Sequence, residues 1–133
     1  MISELLRKGR MFLAAGDPSG AARYLAEAAE QAPTDRTVLT ELALAHFRSA
    51  SLGRAEEVLT RLVELDPSDG YARLLLGRTL SRRSRHAEAL PQLKLAAALT
   101  RDPDVHAEVA RVQARLDGRD RAVTTGPGAP PSP

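Results

Sequence analysis

AARYLAEAAEQAP (residues 21–33), AEEVLTRLVELDP (55–67) and ALPQLKLAAALTR (89–101) decide how this chain folds. Laid over one another, they put Ala21, Ala55 and Ala89 in one column and Leu25, Leu59 and Leu93 in another. Ala28, Leu62 and Ala96 make a third, and Pro33 and Pro67 a fourth. Upstream, Gly9, Ala43 and Gly77 follow the same step, which is 34 residues. A period of that length denotes a helical hairpin too small to bury its apolar face alone, so stacked copies complete the core. Small residues belong where two helix axes approach closely. Gly9 and Gly77 each cost about 1 kcal/mol against Ala inside a helix, so their recurrence points to close helix contact at that position.

The composition agrees. Of 133 residues, 43% are hydrophobic but only 3% aromatic, which leaves Leu, Val and Ala to build the core and favours helices over sheet. Cysteine is absent, which excludes disulfides, thiolate catalysis and Cys-ligated metals. The net charge of +2 is too small for a dedicated nucleic-acid arm, although nearly every cation is Arg, with Lys8 and Lys94 the only lysines. Residues 1–10 are broken by Glu4, Arg7, Lys8 and Arg10 and hold no apolar run of signal-peptide length; no stretch is long enough to span a membrane. The expectation is a cytoplasmic protein.

These columns resemble the tetratricopeptide repeat (TPR) family. Its first-helix signature is similar to Leu5, Gly9 and Phe12, then Leu39, Leu42 and Ala43, then Leu76, Gly77 and Leu80. Its second-helix signature is met by Ala21, Leu25 and Ala28, by Ala55 and Leu59, and by Ala89, Leu93 and Ala96. The resemblance covers about residues 2–103. It implies an all-α, right-handed α-α superhelix, or solenoid, of three TPR hairpins with a C-terminal capping helix. The repeats would run 2–35, 36–69 and 70–103, with the cap at 104–117. The chain departs from the family where His46 replaces an aromatic, Leu62 a small residue and Arg101 the closing proline.

Boundary signals fit the period. Asp17-Pro18 and Asp102-Pro103 each offer a cap followed by proline at the first helical position, and Thr34-Asp35 and Ser68-Asp69 can cap the next first helices. Gly16 and Gly53 mark the turns of hairpins one and two. Arg101 in the proline column predicts a slightly longer last hairpin helix. Pro91 falls about one and a half turns into it, a position that could cost around 3 kcal/mol, and the helix is expected to survive. Val105, Val109, Val112 and Leu116 make one apolar stripe for the capping helix, with His106, Glu108, Arg111 and Arg115 toward water and Gly118 as its stop. Residues 118–133, rich in Pro and Gly, are expected to be disordered.

Chemistry is scarce. His46, His86 and His106 are far apart and form no His-x-x-x-His pair, so they read as solvated or groove-lining rather than as metal ligands. Glu56-Glu57 and Glu64, Asp66 and Asp69 read as a solvated acidic face. No phosphate loop, dinucleotide fingerprint or nucleophile elbow is present. The chain is read as catalysing nothing, with no cofactor and no metal.

What the resemblance implies is a protein-binding adaptor or scaffold, its partner lying in a concave groove lined by the first helices. The groove positions would include Leu6, Arg10 and Leu13, then Leu44, Phe47 and Arg48, then Tyr71, Leu74, Arg78 and Arg82. That mixture suits a protein or peptide with acidic and apolar side chains. The alternative for the same residues is plain packing and solvation. Gly9, Ala21, Ala28, Ala43, Ala55, Gly77, Ala89 and Ala96 would be the packing positions. The family's chaperone-tail clamp uses Lys, Asn and Arg; here its positions hold Leu6, Arg10, Glu41, Tyr71 and Leu75, which disfavours that ligand. Self-association through the groove is a second reading. A third is nucleic-acid binding through Arg78, Arg82, Arg83 and Arg85, which have no interleaved aromatics for base stacking.

Overall fold

The structure, a computed structural model, describes residues 1–124, with side chains through Gly118. Seven helices follow in order: α1 (Ile2–Ala14), α2 (Pro18–Gln31), α3 (Arg36–Arg48), α4 (Leu52–Leu65), α5 (Gly70–Arg82), α6 (His86–Thr100) and α7 (Pro103–Thr124). The first six pair as hairpins α1/α2, α3/α4 and α5/α6. Each new first helix also lies on the second helix before it, and α7 lies on α6 in that way. The result is an all-α solenoid of repeated hairpins closed by a terminal helix.

Starts and stops come from side chains the sequence supplies. Asp17 accepts from the Gly20 amide at 2.8 Å ahead of Pro18. Asp35 accepts from Thr37 and Val38, Asp69 from Ala72, and Asp102 from the Asp104 amide at 2.9 Å. Each bond satisfies an amide that the first helical turn leaves unpaired. The last hairpin helix, α6, is one residue longer than α2 or α4 and ends on Arg101 in a left-handed conformation. Pro91 sits exposed at the sixth position of α6. The carbonyl it orphans, that of exposed Ala87, can turn to water, so the helix persists.

The hairpin turns correct one expectation. Gly16 does stand left-handed in the first turn, at φ +79°, but Gly53 lies inside the first turn of α4. The equivalent left-handed residues are Ala50 at φ +60° and Ser84 at φ +62°, one period apart. Each turn closes with the same two bonds. In the first, the Gly16 amide reaches Leu13 O at 3.1 Å and the Asp17 amide reaches Phe12 O at 2.8 Å. In the others Ala50 and Ser51, then Ser84 and Arg85, repeat them, which makes three Schellman closures.

Packing follows the columns. Ala21, Leu25, Ala43, Ala55, Leu59 and Ala89 share one buried cluster, which runs from the first hairpin into the third. Leu74, Leu93, Ala96, Ala97, Val105 and Val112 form a second, where α7 covers the end of the stack. A Cβ on Gly9 would sit 2.6 Å from Leu25, and one on Gly77 2.6 Å from Leu93. Gly118 does not stop α7, which continues through Thr124. The rest of the expected disordered tail, 125–133, lies outside the described residues.

A candidate partner-binding wall

Helices α1, α3, α5 and α7 begin at 2, 36, 70 and 103, so residues at equal depth in each helix correspond. The sixth position holds Arg7, Glu41, Leu75 and Glu108, and the ninth holds Arg10, Leu44, Arg78 and Arg111. Ninth meets sixth across successive helices. Arg10 Nε donates to Glu41 Oε1 at 2.7 Å, tying α1 to α3. Arg78 Nε donates to both oxygens of Glu108, at 3.1 and 3.0 Å, and its Nη2 adds a third bond, tying α5 to α7. Between these two ionic rungs the same positions are apolar: Leu75 belongs to the first core cluster and Leu44 packs against it. The Glu108 carboxylate raises the affinity of the Arg78 guanidinium for its proton.

At the C-terminal half of this wall is an open cleft of about 350 Å³. Phe47 of α3, Arg78, Ser81 and Arg82 of α5, and Glu108, Arg111 and Arg115 of α7 line it, with buried Leu93 and Val112 beneath. The Arg82 guanidinium lies 4.9 Å from the Phe47 ring centre and donates to the Phe47 carbonyl at 3.2 Å. Four arginines thus face one carboxylate, and Arg78 already neutralises it. The surplus positive charge at this end belongs to Arg82, Arg111 and Arg115.

The residues expected in the groove fare differently. Leu6, Leu13, Leu44 and Phe47 are half-buried against the core, while Arg48 and Tyr71 are exposed. Leu74 is not a surface anchor. It is 8% exposed and packs with Val105 and Val112 under α7. Arg10 and Arg78 are committed to Glu41 and Glu108. Gly9, Ala21, Ala28, Ala43, Ala55, Gly77, Ala89 and Ala96 are all buried.

Four expectations are corrected. Glu108 is half-buried on Arg78, while Arg111 and Arg115, exposed as expected, also border the cleft: a valine stripe tells which side of α7 is buried, not what its flank borders. Counting from the Asp102 cap finds them, at the helix depths of Leu75, Arg78 and Arg82. The Arg78–Arg85 run is not one basic patch, since Arg83 and Arg85 turn to Glu56 at 2.8 and 2.6 Å while Arg78 and Arg82 line the cleft. Of the acids, Glu56 takes those two arginines, and Asp66 and Asp69 both face Arg36. Among the histidines, His106 is exposed, but His46 and His86 are buried. His86 Nδ1 lies 3.1 Å from the Ser81 hydroxyl. Burial, helped by the charge of Arg54, lowers the pKa of His46 below 6.5.

Among the described residues no group of three or more His, Asp or Glu could hold a metal ion, and no helix is long and apolar enough to cross a membrane. The tetratricopeptide repeat profile matches residues 12–78, half of the chain.

This chain belongs to the tetratricopeptide repeat family.

Solved TPR structures superimpose along nearly its whole length. The TPR domain of Sgt2 from Aspergillus fumigatus matches 99% of this chain and 88% of its own, with a TM-score of 0.83 at 17% identity. The first TPR domain of human RPAP3 matches 92% and 97%, with a TM-score of 0.81 at 20% identity. The first TPR of Spaghetti, bound to the HSP90 peptide SRMEEVD, matches 87% and 93% at 0.81 and 20%. At such identities the likeness is one of fold. No curated protein sequence matches the chain.

Proposed function

We propose that this TPR domain is a non-catalytic, cytoplasmic protein-binding scaffold whose inner wall holds a partner segment carrying acidic and apolar side chains. The cleft between α3, α5 and α7 carries the reading. It sets Arg82, Arg111 and Arg115 beside Phe47 and an apolar floor, with its only acid already paired. Guanidinium groups bind carboxylates through two parallel hydrogen bonds, and an aromatic anchor supplies contact area at low entropic cost. The Spaghetti complex supports it by analogy, because the peptide in that related fold also carries acidic residues. The anchoring chemistry differs, since the clamp positions here hold Leu6, Arg10, Glu41, Tyr71 and Leu75.

The test is selection from a random-peptide library on the full chain. Selected peptides should bind the native protein and lose at least about tenfold in affinity on Arg82→Glu/Arg115→Glu, while that variant melts like the parent. Equal binding to both proteins would move the site elsewhere, and failure to select any binder would count against the reading. Light scattering over a concentration series separates a scaffold for other proteins from one that fills its groove with a second copy.

A further inference from the structure

The thirteenth position of the four inner-wall helices holds Ala14, Arg48, Arg82 and Arg115. Three successive helices therefore place an arginine at the same depth. An arginine at a helix C-terminus has an ordinary explanation, because it complements the helix dipole and the last carbonyls. Arg48 and Arg82 are the last residues of α3 and α5, so it would serve for them. It does not serve for Arg115. Helix α7 runs nine residues further, to Thr124, and the column is kept where no helix ends. Arg48 and Arg115 are exposed, and Arg82 makes its contacts to Phe47 rather than to a carboxylate.

We infer that Arg48, Arg82 and Arg115 form a ladder that reads an extended acidic segment with a carboxylate at every third residue. The inference rests on the groove reading proposed above and names the ligand pattern of that site. Its basis is a match of lengths. The wall helices also touch one another directly, α1 on α3 and α3 on α5, and Arg78 joins α5 to α7. Helices in contact lie roughly 8–10 Å apart, and an extended chain advances roughly 3.3–3.6 Å per residue, so three residues span one rung. An α-helical ligand advances only about 1.5 Å per residue and would need six or seven. The ladder also has a direction. The equivalent position in α1 is Ala14, and Arg10 is neutralised by Glu41, so the acidic stretch lies toward α7 and its other end meets the leucine-lined half at α1 and α3.

Three fluorescein-labelled peptides of one composition distinguish the outcomes by anisotropy. One carries Asp-Thr-Thr-Asp-Thr-Thr-Asp, and its isomers place the three acids in a block or at every second position. The threonines keep all three extended. The spaced peptide should bind about tenfold more tightly than either isomer. Arg115→Gln should erase that preference, and Arg23→Gln, on α2, should not. Equal binding of the three isomers overturns the ladder while leaving an acidic-segment groove intact. Tighter binding of an oligothymidylate of equal charge overturns it in favour of a nucleic-acid surface. Binding of no peptide also overturns it, and the library-selected peptides then decide the groove reading separately.

Discussion

Gly77 and Leu93 are in contact across the α5/α6 hairpin so closely that a Cβ on the glycine would lie 2.6 Å from both Cγ and Cδ2 of the leucine. Gly9 and Leu25 repeat the contact two hairpins earlier, at the same 2.6 Å. The intervening hairpin has Ala43 and Leu59 at these positions, both buried. Gly77→Ala gains roughly 1 kcal/mol of helix propensity but forces Leu93 off its position, so a net loss of about 1 kcal/mol is expected. Gly77→Leu should lose about 3 kcal/mol. Urea unfolding of the two variants checks both, and parent-like midpoints would mean that the hairpin contact is wrongly placed.

The left-handed column offers the opposite sign. An L-residue held at positive φ costs about 1–2 kcal/mol, and Gly16 avoids this while Ala50 and Ser84 do not. Glycine also loses more chain entropy on folding. Ala50→Gly and Ser84→Gly should therefore each stabilise by about 0.5 kcal/mol and Gly16→Ala should destabilise. Thermal melts that move the other way would show that these turns relax out of the left-handed region.

The Arg78–Glu108 pair adds an ionic tie to the apolar packing that holds α7 on the stack. Its side chains are 39% and 17% exposed, so solvent screening limits the pair to about 0.5–1 kcal/mol despite bidentate geometry. Glu108→Gln should release amide exchange in α7, around Val105 to Val112, ahead of the first two hairpins. Arg78→Glu should do more, because it sets two carboxylates against one another. Uniform exchange changes along the chain would show that the pair is not local to α7.

His46 makes stability depend on pH. Its pKa is lowered in the folded state, chiefly by burial and then by Arg54, with Glu57 opposing. The unfolded chain therefore takes up the proton first. The histidine's contribution is whole above pH 6.5, falls as pH drops through the window just below, and levels off beneath the folded pKa. Subtracting the stability curve of His46→Phe from that of the parent between pH 7.5 and about 5 should reveal this slope. A flat difference would place His46 in solvent.

Much of this was legible because repetition averages out local ambiguity. A lone Gly9 or Pro33 says little, whereas Gly9, Ala43 and Gly77 in one column state a backbone contact, and the Asp-Pro steps locate helix starts to the residue. Gly53 misled because glycine is a statistical marker of turns, while the turn itself is set by a count of residues from the helix end. Nothing in the bare letters distinguishes the left-handed Ala50 from any other alanine.

What the sequence determined by itself is the hairpin and its stacking, because periods of 3.6 and 34 residues are properties of one dimension and survive without coordinates. What only the tertiary structure decided is which charges are spent. Arg10 meets Glu41 from 31 positions away and Arg78 meets Glu108 from 30. Whether an arginine has a carboxylate within reach depends on the lateral register of neighbouring helices. The one-residue shortening before α7, where Asp102 caps a helix one place early, sets that register and brings Arg111 and Arg115 onto the wall.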